Sequence, residues 1–356
     1  MNLFNIKNII QEKRLPWFIE KRMRVGENIL FFLKNRTINF FRNASINDIR
    51  ITFQCGFHGE TGGVFAIASI ANLLAQRYQV EFLTNPSSNY NRLLSSKICF
   101  VETPNMNSDL FICDVTCDHY FLERVKKKGK LLIISCHGLL NESHGLESEQ
   151  VKKALSFADI VHFVSPFQQD SFQLETGRFE IIPNATKKIN KKRRTNNVGC
   201  VGNLNEVKKN VIESVNIGLA SKADYIHLWS IEKDIWKDSR VVTHNWEKNK
   251  DKIYNSFDVL VFMSQVETFG LVVIEAMSAG IPCLLSSIPV FEEFGKCPGV
   301  TIIDTDNKEN TAAILNEMLE NKDKLRDPIL EHFTNRYSED VISEKWFSLV
   351  SKLLGR

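Results

Sequence analysis

From residue 49 onward, short apolar runs alternate with stretches whose apolar positions return every three or four residues. Runs at 49–54, 80–84, 97–101, 109–115, 131–135, 159–164 and 179–183 predict strands, and helical patterns fit between most of them. Further runs at 198–201, 225–229, 259–262, 283–285 and 300–303 repeat the scheme, and two or three helices close the chain. Alternation of this kind predicts parallel sheets covered by helices, in two successive α/β units. The stretch 187–197, KKINKKRRTNN, has no apolar period beyond Ile189 and predicts an exposed, basic linker between them. The expected layout is an arm at 1–48, a first domain at 49–186, the linker at 187–197 and a second domain at 198–338. A last segment, 339–356, contains a helix expected to cross back to the first domain.

The stretch 258–289 carries the most chemistry. A buried-strand run at 259–262 leads into a polar loop at 264–268 and then a helix reading FGLVVIEAMSAG, stopped by Gly280 and Pro282. The loop therefore lies at the carboxyl end of a parallel strand, where open α/β sheets bind ligands. A helix N-terminus there offers unpaired N–H groups to an anion. Glu267 precedes the helix and Glu275 lies eight residues on. At helical rise that is about 12 Å, so both can serve one ligand with hydroxyls at each end. Glu275 is set among Leu271, Val272, Val273, Ile274, Ala276 and Met277, and a carboxylate so placed should have a partner.

Other candidates sit at other predicted strand ends. Gly62-Gly63 opens a helix predicted over 64–78, and glycine there lets backbone approach a ligand closely. His137 follows the strand at 131–135 beside Gly138, whereas His162 falls mid-strand and reads as core. Gly202-Asn203-Leu204 follows the strand at 198–201, with Lys208 and Lys209 just before the next helix. A lysine at that point can neutralise a diphosphate, and two adjacent lysines point about 100° apart on a helix, so only one of Lys208 and Lys209 can face one cleft.

Glu267-Thr268-Phe269-Gly270, Glu275-Ala276-Met277 and Gly280-Ile281-Pro282 together resemble family 4 of the nucleotide-sugar glycosyltransferases. The resemblance implies a GT-B fold, two Rossmann-like domains facing a cleft, and retaining transfer from a nucleoside-diphosphate sugar. By that resemblance Glu267 meets donor-sugar hydroxyls and Glu275 holds the ribose. The amides of Thr268, Phe269 and Gly270 meet the diphosphate with Lys209 or Lys208. His137 then lies near the donor sugar, and Gly62-Gly63 faces acceptor and diphosphate. Two departures stand out: Asn203 replaces the arginine that usually contacts the diphosphate, and Ser230 stands where glycine is frequent. Asn203 keeps a non-catalytic binding protein open as an alternative, beside a nucleotide-sugar epimerase.

Composition narrows the setting. With 356 residues, 43% hydrophobic, 24% charged and net charge +3, the chain has the make-up of a two-domain globular protein without a nucleic-acid signature. No run is long enough to span a membrane and no signal peptide is recognisable, which predicts a cytoplasmic protein. Eight cysteines without a CxxC pair predict free thiols. Cys113, Cys117 and His119 form at best a weak metal candidate, and Asp304-Thr305-Asp306 predicts a surface turn. No metal or other cofactor is expected, and the partners are a nucleotide-sugar donor and a glycan or lipid-linked acceptor, as in surface polysaccharide or glycolipid synthesis. Residues 1–50 hold ten basic against four acidic side chains, net +6, interleaved with aromatic residues. Such an arm suits either packing on the protein body or a peripheral position on an anionic membrane surface, at about 1 kcal/mol per basic residue. Full-length protein should co-sediment with anionic liposomes at low salt, and a deletion of 1–46 should not; binding equally weak at every salt concentration assigns the arm to packing.

Overall fold

The computed structural model describes residues 49–56, 61–83, 90–140, 148–172, 178–231, 236–304 and 308–355. The basic arm, His58 and residues 305–307 lie outside them.

Two parallel sheets form. In the first, β1 (Arg50–Gln54), β2 (Gln79–Leu83), β3 (Cys99–Val101), β4 (Leu110–Asp114), β5 (Leu131–Ser135), β6 (Ile160–Phe163) and β7 (Phe179–Ile181) take the order 3-2-1-4-5-6-7. In the second, β8 (Val198–Val201), β9 (Ile226–Ser230), β10 (Val241–Asn245), β11 (Val259–Phe262), β12 (Cys283–Ser286) and β13 (Val300–Ile303) take the order 10-9-8-11-12-13. Both are doubly wound, with the order reversing between β1 and β4 and between β8 and β11. β11 and β12 are buried at all four positions, as strands of a sheet covered on both faces must be. The helices that matter here are α1 (Gly62–Leu74), α2 (Val211–Ala220), α3 (Lys250–Tyr254), α4 (Leu271–Ser278), α5 (Lys308–Tyr337) and α6 (Glu339–Leu354).

Expected and observed elements differ in their bounds, α1 covering Gly62–Leu74 where the pattern predicted 64–78, and at two further points. β10 was not anticipated: Val241-Val242-Thr243-His244-Asn245 is half-exposed along its length and polar at its end, as an edge strand can be. The helix bearing Glu275 begins only at Leu271, because Gly270 at φ +100° sets the entry and Gly280 at φ +67° ends it. Glu267 thus stands four residues ahead of the helix, and the two-turn spacing predicted for the carboxylates does not apply.

α6 does return to the first domain. Ile342, Trp346, Phe347, Leu349 and Val350 are buried with Ile51, Phe53, Ile67, Leu74 and Phe82 of β1, α1 and β2. Tyr78 meets the Phe347 ring edge-on at 5.7 Å.

Residues 187–197 are not the uniformly solvated connection their composition predicts. Ile189 and Lys191 are buried, and Val164 and Ile189 pack into the core beneath α4. Lys191 Nζ lies 3.0 Å from Asp258 Oδ1 and donates to the carbonyls of Phe257, at 2.7 Å, and Tyr254, at 3.3 Å. Asp258 Oδ2 accepts from the amide of Thr195 at 2.6 Å and from its hydroxyl. Removing one member of a buried pair leaves an uncompensated charge, which costs on the order of 3–5 kcal/mol. Lys191→Ala should therefore lower the urea midpoint sharply, whereas Lys191→Met with Asp258→Leu should recover only part of the loss, because the carbonyls of Phe257 and Tyr254 and the Thr195 amide lose their partners. Equal midpoints for Lys191→Ala and wild type would show that the pair carries no stability.

Candidate functional site

The switch point between β8 and β11 sets the geometry. After β8 the chain turns through Gly202–Asn210, and after β11 through Met263–Gly270. The Lys208 carbonyl accepts from the Gln265 amide at 2.7 Å and from Ser264 Oγ at 3.1 Å. Ser214 Oγ on α2 accepts the Met263 amide at 3.1 Å. These bonds lace the two loops together and bring Lys209 Nζ to 2.6 Å from Glu267 Oε1, with both side chains mostly buried. Lys208 is exposed and belongs to the same short 3₁₀ turn, Val207–Lys209, so the two lysines do point different ways. Lys209 is the one directed at Glu267.

Asn203 is committed within its own loop, its Oδ1 accepting the Asn205 amide at 3.2 Å and its carbonyl accepting the Glu206 amide. Ser230, where glycine was expected, accepts the Leu204 amide on its hydroxyl at 3.2 Å. That serine substitutes a specific loop anchor for backbone freedom, a role the sequence did not reveal.

Glu275 has the partners its apolar setting demands. It is 9% exposed. Tyr254 donates to Oε2 at 2.8 Å, and the Lys250 ammonium pairs with Oε1. Burial and the neighbouring carboxylate push the Tyr254 phenol well above its ordinary range, so it stays a donor. Neither Lys250 nor Tyr254 was singled out from sequence. They lie four apart on α3, so one helix face presents both to one carboxylate, but nothing in the local pattern ties that face to α4. Glu267 and Glu275 have separate sets of partners.

The ring of Phe269 is core, 5.7 Å from Phe294 and 6.1 Å from Tyr337, so its side chain is taken up in packing. The Thr268 carbonyl accepts from Ser165 Oγ of the first domain at 2.9 Å. The two domains also meet at Gly62, where a β-carbon would stand 3.7 Å from Leu271 Cδ1. The N-terminal residues of α1 and α4 thus face each other where the two domains meet. Thr61 makes no side-chain cap, leaving the first amides of α1 without that partner. A β-carbon on Gly63 would lie 3.2 Å from that of His137, which explains the second glycine by close packing. His137 thereby joins Gly62, Gly63 and Leu271 at the cleft. His162 is buried as expected, but not merely as filler: Ser135 Oγ lies 2.6 Å from His162 Nδ1 and 2.9 Å from His137 Nε2.

All eight cysteines are free, seven of them buried. Among the described residues no group of three or more His, Cys, Asp or Glu side chains is gathered for a metal, Cys113, Cys117 and His119 included. Nor, among them, is any helix long and apolar enough to cross a membrane.

Residues 184–332 match the family model described as glycosyl transferases group 1, a span that holds Lys209, Glu267 and Glu275 but not His137 or Gly62-Gly63. No curated protein matches the sequence. Among solved structures, Anabaena Alr3699/HepE in complex with UDP and glucose is similar at TM-score 0.68 and 15% identity, over 85% of this chain and 99% of that one. Sucrose-phosphate synthase from Thermosynechococcus elongatus is similar at TM-score 0.68 and 13% identity, over 86% and 99%. The lipopolysaccharide outer core galactosyltransferase WaaB follows at TM-score 0.60 and 17% identity, over 85% and 100%. At such identities the likeness is one of fold. The GT-B architecture and the matched domain together define a glycosyltransferase.

Burial holds His162 at about 4, below the ordinary 6.5, and pushes His227 down to about 4 as well, with His244 beside it adding to the effect. The unfolded chain then binds more protons than the folded one between about pH 4 and 6.5, so stability falls as pH falls through that window. For His162 the loss is about 3 kcal/mol. His162→Gln should flatten the decline of the urea midpoint between pH 6.5 and 4 by about one proton. An unchanged slope would mean His162 titrates normally in the folded protein.

Proposed function

We propose that this protein is a retaining glycosyltransferase, moving a sugar from a nucleoside-diphosphate sugar to a hydroxyl of a glycan or lipid-linked acceptor. The reading rests above all on Lys209 and Glu267, paired at the β8/β11 switch point beside the N-terminus of α4. In this reading the bond from the anomeric carbon to the diphosphate breaks while a bond to the acceptor oxygen forms, and the acceptor proton leaves with the diphosphate. Charge then builds on the leaving phosphate. Lys209 and the amides of Thr268 to Gly270 supply a cation and dipoles already in place, which is where electrostatic catalysis gains most. Glu267 takes donor-sugar hydroxyls, Glu275 the ribose, and His137 with Gly62-Gly63 closes the site from the first domain. Both carboxylates are engaged by cations, which favours charge stabilisation over a carboxylate nucleophile, and the retaining mode is proposed on the sequence resemblance alone.

The structural neighbours include complexes with UDP and with UDP-glucose, so a uridine nucleotide is the first donor to test. Surface polysaccharide or glycolipid synthesis is the setting we propose, with the arm at 1–48 near an anionic membrane. The non-catalytic reading draws on one observation, the engagement of Asn203 within its own loop in place of a phosphate-binding arginine.

A thermal-shift panel of UDP, GDP, ADP and CMP should raise the melting temperature with one nucleoside diphosphate, by mass action. Glu275→Ala should weaken that binding by about 1.5–3 kcal/mol, the worth of a charged hydrogen bond. Calorimetry on a folded variant with an unchanged Kd would remove Glu275 from the site. Glu267→Ala should abolish transfer yet leave nucleotide binding near normal, since Lys209 stays. Lys209→Ala should cost far more transfer than Lys208→Ala; two small effects would favour the non-catalytic reading.

A further inference from the structure

His137 Nε2, Ser135 Oγ, His162 Nδ1 and the Ile182 carbonyl form an unbroken polar chain. The steps are 2.9 Å from His137 to Ser135, 2.6 Å on to His162, and 2.9 Å from His162 Nε2 to Ile182 O. The chain runs from the cleft inward, across the ends of β5 and β6 to the residue after β7. Ser135 and His162 are register partners on adjacent strands, and the Cys136 amide donates to the His162 carbonyl at 2.9 Å. Trp346 of the returning helix α6 packs on the His162 ring at 4.6 Å between centroids.

The direction of every proton in this chain is determined. A carbonyl only accepts, so His162 Nε2 carries a hydrogen and donates to Ile182. His162 is buried and held neutral, so its Nδ1 has a lone pair and must accept. Ser135 has one hydroxyl proton, and that proton goes to His162. The oxygen of Ser135 can then only accept from His137, which requires hydrogen on His137 Nε2. A neutral His137 is left with its lone pair on Nδ1.

We propose that Ser135 and His162 are positioning residues for His137, fixing it as the Nε2–H tautomer with Nδ1 as the acceptor nitrogen. The proposal deepens the glycosyltransferase reading and rests on it for its catalytic meaning: His137 Nδ1 is enclosed in this structure, and a sugar or acceptor hydroxyl that displaces its neighbours finds an acceptor there. The tautomer itself does not depend on that reading. α6 contributes as well, because Trp346 keeps water from the innermost link.

The test is ¹⁵N NMR on the full chain labelled at histidine, with the His137 signals identified by their loss in His137→Asn. Wild type should show a pyrrole-type shift at Nε2 and a pyridine-type shift at Nδ1. Ser135→Ala removes the acceptor, so the two shifts should move toward an exchange-averaged mixture of tautomers. Ser135→Thr, which keeps a hydroxyl, should restore the wild-type pattern. A wild-type spectrum with hydrogen on Nδ1 overturns the proposal without any variant, and so does a Ser135→Ala spectrum identical to wild type at His137. Transfer that survives His137→Asn would strip the relay of its catalytic role while leaving the measured tautomer intact, which separates the two failures.

Discussion

The Lys208 carbonyl joins the two loops of the second domain's switch point. By accepting from both Gln265 and Ser264 it binds the loop after β8 to the loop after β11, and everything offered at that edge inherits its position from this junction. Lys209 is the next residue, so its ammonium cannot wander far from Glu267. Glu267 in turn lies two residues beyond Gln265, ahead of the α4 N-terminus. A site assembled from two loops of a switch point ordinarily has freedom to lose when ligand arrives. Here much of that ordering has already occurred, which suits catalysis by fixed charges and dipoles.

Burial of polar groups follows one rule throughout. Glu275 is held by Lys250 and Tyr254, Lys191 by Asp258 and two carbonyls, and His162 by Ser135 and Ile182. Each group would be costly to bury alone, and each is answered by partners from a different element. The consequence differs by place. Lys191 ties the connecting segment to the second domain, Glu275 is presented from α4, and His162 meets the same Ser135 hydroxyl that His137 meets.

What could be read from the residues follows from how local the information is. β11, α4 and β12 were legible because Asp258, Gly280 and Pro282 punctuate apolar runs directly. The same stretch carried both glutamates, and the demand that Glu275 have a partner followed from its neighbours alone. Who the partner is did not follow, because Lys250 and Tyr254 reach it only through the packing of α3 on α4. Lys191 looked solvated because five other cations surround it in sequence, and only the fold brings Asp258 beneath it. β10 escaped notice because an edge strand needs apolar residues on one face only. Asn203 and Ser230 were recognised as departures, yet the loop anchoring they provide is a matter of hydrogen-bond geometry that residue identity does not state.

The return of α6 has a consequence for how the molecule is made. Domains generally fold as units while the chain is still emerging, the first before the second. In this chain Trp346 and its neighbours complete a core begun at Ile51, and the whole second domain is threaded between them. At common rates of synthesis the interval between Phe163 and Trp346 is roughly 10–40 seconds. Throughout it, α1 and β2 lack the helix that packs on them in the finished protein, and His162 lacks Trp346. The first domain is therefore the last to be finished, and the nascent protein is most exposed to aggregation and proteolysis at the half that was synthesised first.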